Sequence, residues 1–184
     1  LLSSTNDSNS KNLFVGYSSG ENYISGKMNT VLGYYSGRHI DGGNYNTYIG
    51  SRAGTRNKAG DSNVAIGYNS GSNGSSDTGL STSYSHCTFL GASAGYNFTS
   101  TYSTLIGSSC GYSLTTGQYA VFIGARTGLY TTSGLRNTFI GYEGGFYNRT
   151  GAYNVYVGTQ SGRGTSTSYN GGSFNTFVGR GSGY

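Results

Sequence analysis

A nine-residue phrase recurs along this chain and fixes what it can fold into. It reads NTVLGYYSG from Asn29 to Gly37, NTYIGSRAG from Asn46 to Gly54 and NTFIGYEGG from Asn137 to Gly145. Its first Gly falls at Gly16, Gly33, Gly50, Gly67, Gly91, Gly107, Gly124, Gly141, Gly158 and Gly179, with gaps of 17, 17, 17, 24, 16, 17, 17, 17 and 21 residues. The chain is thus ten copies of a 17-residue unit, with two insertions and one deletion. A second Gly follows four residues later in every copy, from Gly20 to Gly183. Helical-hairpin repeats need more than about 30 residues per unit, so this period excludes them. It suits one coil of a β-solenoid, and the β-branched and aromatic residues punctuated by Gly and Asn agree. The expected fold is all-β, a parallel solenoid of about ten coils stacked about 4.8 Å apart, or roughly 48 Å long. Residues 1–11 read as a lead-in, and 12–184 as a single solenoid domain with loop insertions at 72–86 and 163–174.

With the Asn of the phrase as position 1, position 4 is aliphatic in every coil: Val15, Leu32, Ile49, Ile66, Leu90, Ile106, Ile123, Ile140, Val157 and Val178. Position 2 is mostly β-branched, with Thr in six coils. Strand alternation puts positions 2 and 4 on one face, and that face is assigned to the coil interior as the structural core ladder. Position 8 is small (Ser36, Ala53, Ala94, Cys110, Ser161) and suits a thin core. The glycines at positions 5 and 9 mark corners where a Cβ is excluded. A third corner is expected where Gly recurs three residues before position 1, as at Gly43 and Gly151. Asn12, Asn29, Asn46, Asn63, Asn137, Asn154 and Asn175 occupy position 1 and are expected to bond their own images one coil away.

Position 3 points the other way on this assignment. It is aromatic at Phe14, Tyr48, Phe89, Phe122, Phe139, Tyr156 and Phe177. Stacked in register, these rings would make an apolar stripe near or above the ~300–600 Å² usual for the largest patch on a monomer. Three readings follow: the faces are reversed and the row is core, copies of the rod pack along it, or it receives a flat ligand. Packing of copies is the preferred one, which makes the row a candidate assembly face.

The phrase N-T-x-[IVL]-G-x-x-[SA]-G is similar to the NTAIGYQAG-type repeats of tail-fibre proteins, and more distantly to the head repeats of trimeric autotransporter adhesins. The resemblance runs from Asn12 to Gly183. It implies a left-handed β-roll, three chains side by side, and a structural or adhesive role on a cell or virion surface.

Composition narrows function by exclusion. The chain of 184 residues has 34 Gly, 19 Tyr, no Pro and 9% charged residues. Its net charge of +5 is spread from Lys11 to Arg180, and only Arg52, Arg56 and Lys58 cluster in sequence. A nucleic-acid groove needs denser cations, whereas attraction to anionic glycan or membrane surfaces fits. No apolar run is long enough for a transmembrane segment. Its two His and six acidic residues recur at no fixed coil position, so no catalytic, metal or cofactor site is expected. Cys87 and Cys110 occupy different positions of adjacent coils and are expected as two buried thiols. The insertions leave the coil at the same place, and Tyr84, His86 and Tyr169 are candidate loop contacts for a glycan or cell-surface receptor. Tyr184 closely follows a repeat phrase, so continuation of the rod or stacking on another copy is expected. The sequence reads as a non-catalytic, self-associating segment of an extracellular fibre, a homotrimer or a stacked rod. The alternative is an ice-binding solenoid with a regular Thr/Tyr face, favoured if the Thr of position 2 points outward.

Overall fold

The computed structural model describes residues 10–74, 83–166 and 171–184. Ten three-residue strands form one parallel sheet in sequence order: β1 (Leu13–Val15), β2 (Thr30–Leu32), β3 (Thr47–Ile49), β4 (Val64–Ile66), β5 (Thr88–Leu90), β6 (Thr104–Ile106), β7 (Val121–Ile123), β8 (Thr138–Ile140), β9 (Val155–Val157) and β10 (Thr176–Val178). Every pair is in register, so Phe14 lies over Val31, Val31 over Tyr48 and Phe122 over Phe139. The fold is the β-solenoid that the period predicts. The turns are stacked as well: Gly20 N donates to Ser36 O at 3.0 Å, Gly37 N to Ala53 O at 2.8 Å and Gly54 N to Ser70 O at 2.9 Å. Backbone polar groups of strand and turn are thus satisfied by the adjacent coil, which lets so short a strand persist.

The interior is the reverse of the expected one. Position 3 faces inward: Val31, Tyr48, Ala65, Phe89, Leu105, Phe122, Phe139 and Tyr156 are fully buried. The core ladder assigned to Val15, Leu32, Ile49, Ile66, Leu90, Ile106, Ile123, Ile140, Val157 and Val178 lies on the outer face and stays half-exposed or exposed. The candidate assembly face of Phe14, Tyr48, Phe89, Phe122, Phe139, Tyr156 and Phe177 is instead core, with Phe177 only partly covered. The reason is volume. A 17-residue coil closes around one large side chain per strand, and two inward neighbours would not fit. The rings stack along the axis, Phe122 on Phe139 at 4.6 Å and Phe139 on Tyr156 at 4.7 Å between centroids. Room for them comes from position 9, where a Cβ on Gly54 would sit 2.6 Å from the Tyr48 ring.

The other inward columns match expectation. Ser36, Ala53, Ala94, Cys110 and Ser161 are fully buried at position 8. Both cysteines are free and buried. The Asn column forms a ladder in coils 1–4 and again in coils 8–10, interrupted by Cys87, Ser103 and Ala120: Asn46 Oδ1 accepts from Asn63 N at 3.0 Å and from Asn63 Nδ2 at 2.9 Å. Asn46 Nδ2 in turn donates to Asn29 Oδ1 at 3.0 Å and to Gly60 O at 2.8 Å. Asn29 on Asn12, Asn154 on Asn137 and Asn175 on Asn154 repeat the backbone bond. Where coil 6 carries Ser103 instead, its Oγ accepts from Ala120 N at 3.1 Å.

Candidate functional site

The outward face of the sheet carries two parallel ranks. Position 2 presents Thr30, Thr47, Thr88, Thr104, Thr138 and Thr176, interrupted by Leu13, Val64, Val121 and Val155. Position 4 presents ten aliphatic side chains without interruption. Ile49, Leu90 and Ile140 keep 36%, 44% and 37% of their surface exposed, although each sits in a rigid, fully paired strand. Register sets like residues over like, about 4.8 Å apart. The result is one long apolar strip edged by hydroxyls, with few ways to hide itself.

A second outward column runs through the residue before position 1. That residue has positive φ in every coil and is never Gly: Met28 is at +56°, Tyr102 at +58° and Arg136 at +53°. From coil 5 onward the side chains stack on one another. His86 lies on Tyr102 at 4.9 Å and Tyr102 on Tyr119 at 5.4 Å. The Arg136 guanidinium is inserted next, 5.5 Å from the Tyr119 centroid and 5.4 Å from that of Tyr153. Tyr153 then stacks on Phe174 at 4.9 Å. Sequence reasoning missed this column, because Tyr holds it in only four coils (Tyr45, Tyr102, Tyr119 and Tyr153) and six other residue types share it.

The candidate loop contacts separate. Tyr84 is no surface residue: it is fully buried, its hydroxyl donates to Gly71 O at 2.8 Å, and its ring meets Phe89 edge-on at 5.0 Å. It belongs to the same buried core as Ala65, the smallest side chain of the position 3 row, and its ring also meets Phe98 at 6.3 Å. His86 is exposed but belongs to the stacked column. Tyr169 lies outside the described residues.

Among the described residues one carboxylate is buried. Glu143 joins three coils, with Oε1 2.7 Å from Arg126 Nη1 and Oε2 3.0 Å from Arg163 Nε, and it also accepts from Gln160 Nε2 at 3.2 Å. Burial opposes its charge, but the bonds from Arg163 and Gln160 and the nearby Arg126 hold its carboxyl below the usual range. This is a tie between coils, with every oxygen engaged. Among the described residues no three metal-ligating side chains gather, and no helix is long and apolar enough to cross a membrane. Comparison with protein-family models, with curated proteins and with solved structures finds no match.

Proposed function

We propose that this chain is a non-catalytic structural segment of an extracellular fibre, on a cell or virion surface, in which copies of the rod lie side by side along their outer sheet faces. The observation that carries this reading is the unbroken aliphatic rank at position 4, held outward by the inward aromatic row. A rigid apolar strip of this length on a monomer marks an interaction surface. Its flatness and regular spacing suit a second copy of the same strip, and cyclic symmetry would close the contact.

Light scattering of the purified chain tests the reading. Oligomers are expected, a trimer being the form that the repeat resemblance implies. The double substitution Ile49→Lys with Ile140→Lys places two charges in the strip, and is expected to give monomers with an unchanged circular dichroism spectrum. A monomeric wild-type chain at tens of micromolar would sink the proposal.

The outward Thr rank favours a second reading, an ice-binding face. It ranks behind the first because Leu and Val break the rank and its neighbour is bulky and aliphatic. Thermal hysteresis separates the two, since ice binding needs the face bare. A monomer that depresses the freezing point, and loses that ability on Thr47→Lys, would establish ice binding in place of the fibre.

A further inference from the structure

A cavity of about 280 Å³ opens among the turns of coils 2 to 5. Its origin is visible in one column. Position 10 reads Glu21, Arg38, Thr55, Ser72, Tyr96, Tyr112, Leu129, Phe146, Arg163 and Tyr184. Eight of these are large, and seven stack or pair within the column, as Arg38 does with Glu21, Tyr96 with Tyr112, and Arg163 with Phe146 and Tyr184. Thr55 and Ser72 are the short members, they are consecutive, and both line the cavity. The gap is therefore two coils tall, with Arg38 at one end and the Tyr96 ring at the other.

The lining has a definite chemistry. Three arginines, Arg38, Arg52 and Arg56, line it, and among the described residues no carboxylate does. Arg38 is oriented by Glu21, 2.5 Å away, and lies 4.7 Å from the Tyr35 ring centroid. Arg56 is oriented by a 3.3 Å bond from Nη1 to Asn73 O. Arg52 stands exposed at the rim. Tyr96 is stacked on Tyr112 at 4.8 Å on one side, so its other face looks along the column toward Ser72. Ser72 is 2% exposed and its Oγ is buried with no hydrogen-bond partner. That oxygen has no surface open to a ligand, so Ser72 shapes the cavity wall and does not bond across it.

We propose that this cavity binds an acidic sugar residue, its anionic group held by the three arginines and its ring laid against Tyr96. Guanidinium forks match the planar or tetrahedral oxygens of carboxylate and sulfate. The volume, about 280 Å³, lies just below the ~300–1,000 Å³ range of small-molecule pockets, which suits one sugar unit of a longer chain. The inference rests on the fibre reading for its purpose, because it gives the rod a contact with which to adhere. The site itself stands on its own geometry.

The test is an NMR titration of the full chain at low salt with glucuronate, glucose 6-sulfate, glucose and inorganic sulfate. At least one acidic sugar is expected to shift the amides of Tyr35, Ser72 and Tyr96, and to bind at least tenfold more tightly than glucose or inorganic sulfate. Whichever acidic sugar binds more tightly identifies the anion. Arg52→Ala is expected to weaken that binding at least fivefold, and Arg136→Ala, which removes a distant arginine, to leave it unchanged. Equal binding of glucose would overturn the role of charge, and equal binding of sulfate the role of the sugar. An equal loss in the Arg136 variant would reduce the effect to bulk electrostatics. None of these results depends on the mass in solution, so the site and the fibre reading can fail separately.

Discussion

At the scale of single residues, the repeat is dictated by atoms that are missing. Gly50 has φ of +129°, and a Cβ there would lie 2.6 Å from Gly67 O of the next coil. Strain in that region costs about 1–3 kcal/mol before any clash is counted. Gly50→Ala is therefore expected to lower the thermal midpoint by several degrees, whereas Ala92→Gly, at an exposed turn position, changes it little. Glu143 gives a prediction in pH. Its carboxyl titrates lower in the folded chain than in the unfolded one, so the unfolded state takes up the proton first as pH falls. Its contribution is complete above about pH 5 and is lost progressively below that. Melting curves from pH 7 to 3 should show a steeper fall for the wild type than for Glu143→Gln. Burial pushes the Cys87 thiol up to about 12. A thiol reagent at pH 8 should thus label the native chain slowly and the denatured chain at once.

At the scale of the coil, the Asn ladder is the part most plainly written in the sequence. Asn46→Ala would strip partners from Asn63 N and Gly60 O, both buried, at a cost of roughly 1–3 kcal/mol each. Asn46→Ser should recover part of that loss, as Ser103 already serves coil 6, and chemical denaturation would measure both. Period, strand positions, corners and ladder are all legible because each depends on a residue type that recurs. The choice of face was legible too, but through a different signal. Positions 1 and 3 share strand parity, so an Asn that bonds inward carries Phe14 or Tyr48 inward with it. Uniformly aliphatic residues at position 4 look like a core, yet they follow from the flatness of the outer strip. The acidic-sugar cavity was half legible. Arg52 and Arg56 stand out in sequence, but Arg38 and Tyr96 join them only through the stacking of position 10. The stacked column of His86, Tyr102, Tyr119, Arg136 and Tyr153 offered only a broken signal, because Tyr is interrupted there by His and Arg.

At the scale of the whole molecule, each coil touches only its neighbours, so stability is close to a sum of coil and interface contributions. Removing one full period, Gly124 to Ile140, joins Ile123 to Gly141 and restores the phrase at the seam. The shortened chain is expected to fold, with small-angle scattering showing a rod about 4.8 Å shorter. Removing eight residues instead would misplace every later column and should abolish the cooperative melt.

The step from β4 to β5 spans 24 residues between phrase glycines, yet Val64 still pairs with Thr88 and His86 N still donates to Asp61 O at 2.9 Å. The register of strand and corner therefore survives seven extra residues at that seam, even though Tyr84 of the insertion is drawn into the core. A foreign peptide spliced there would be carried at a fixed height on a stiff mast, making the seam a ready socket for antigen display.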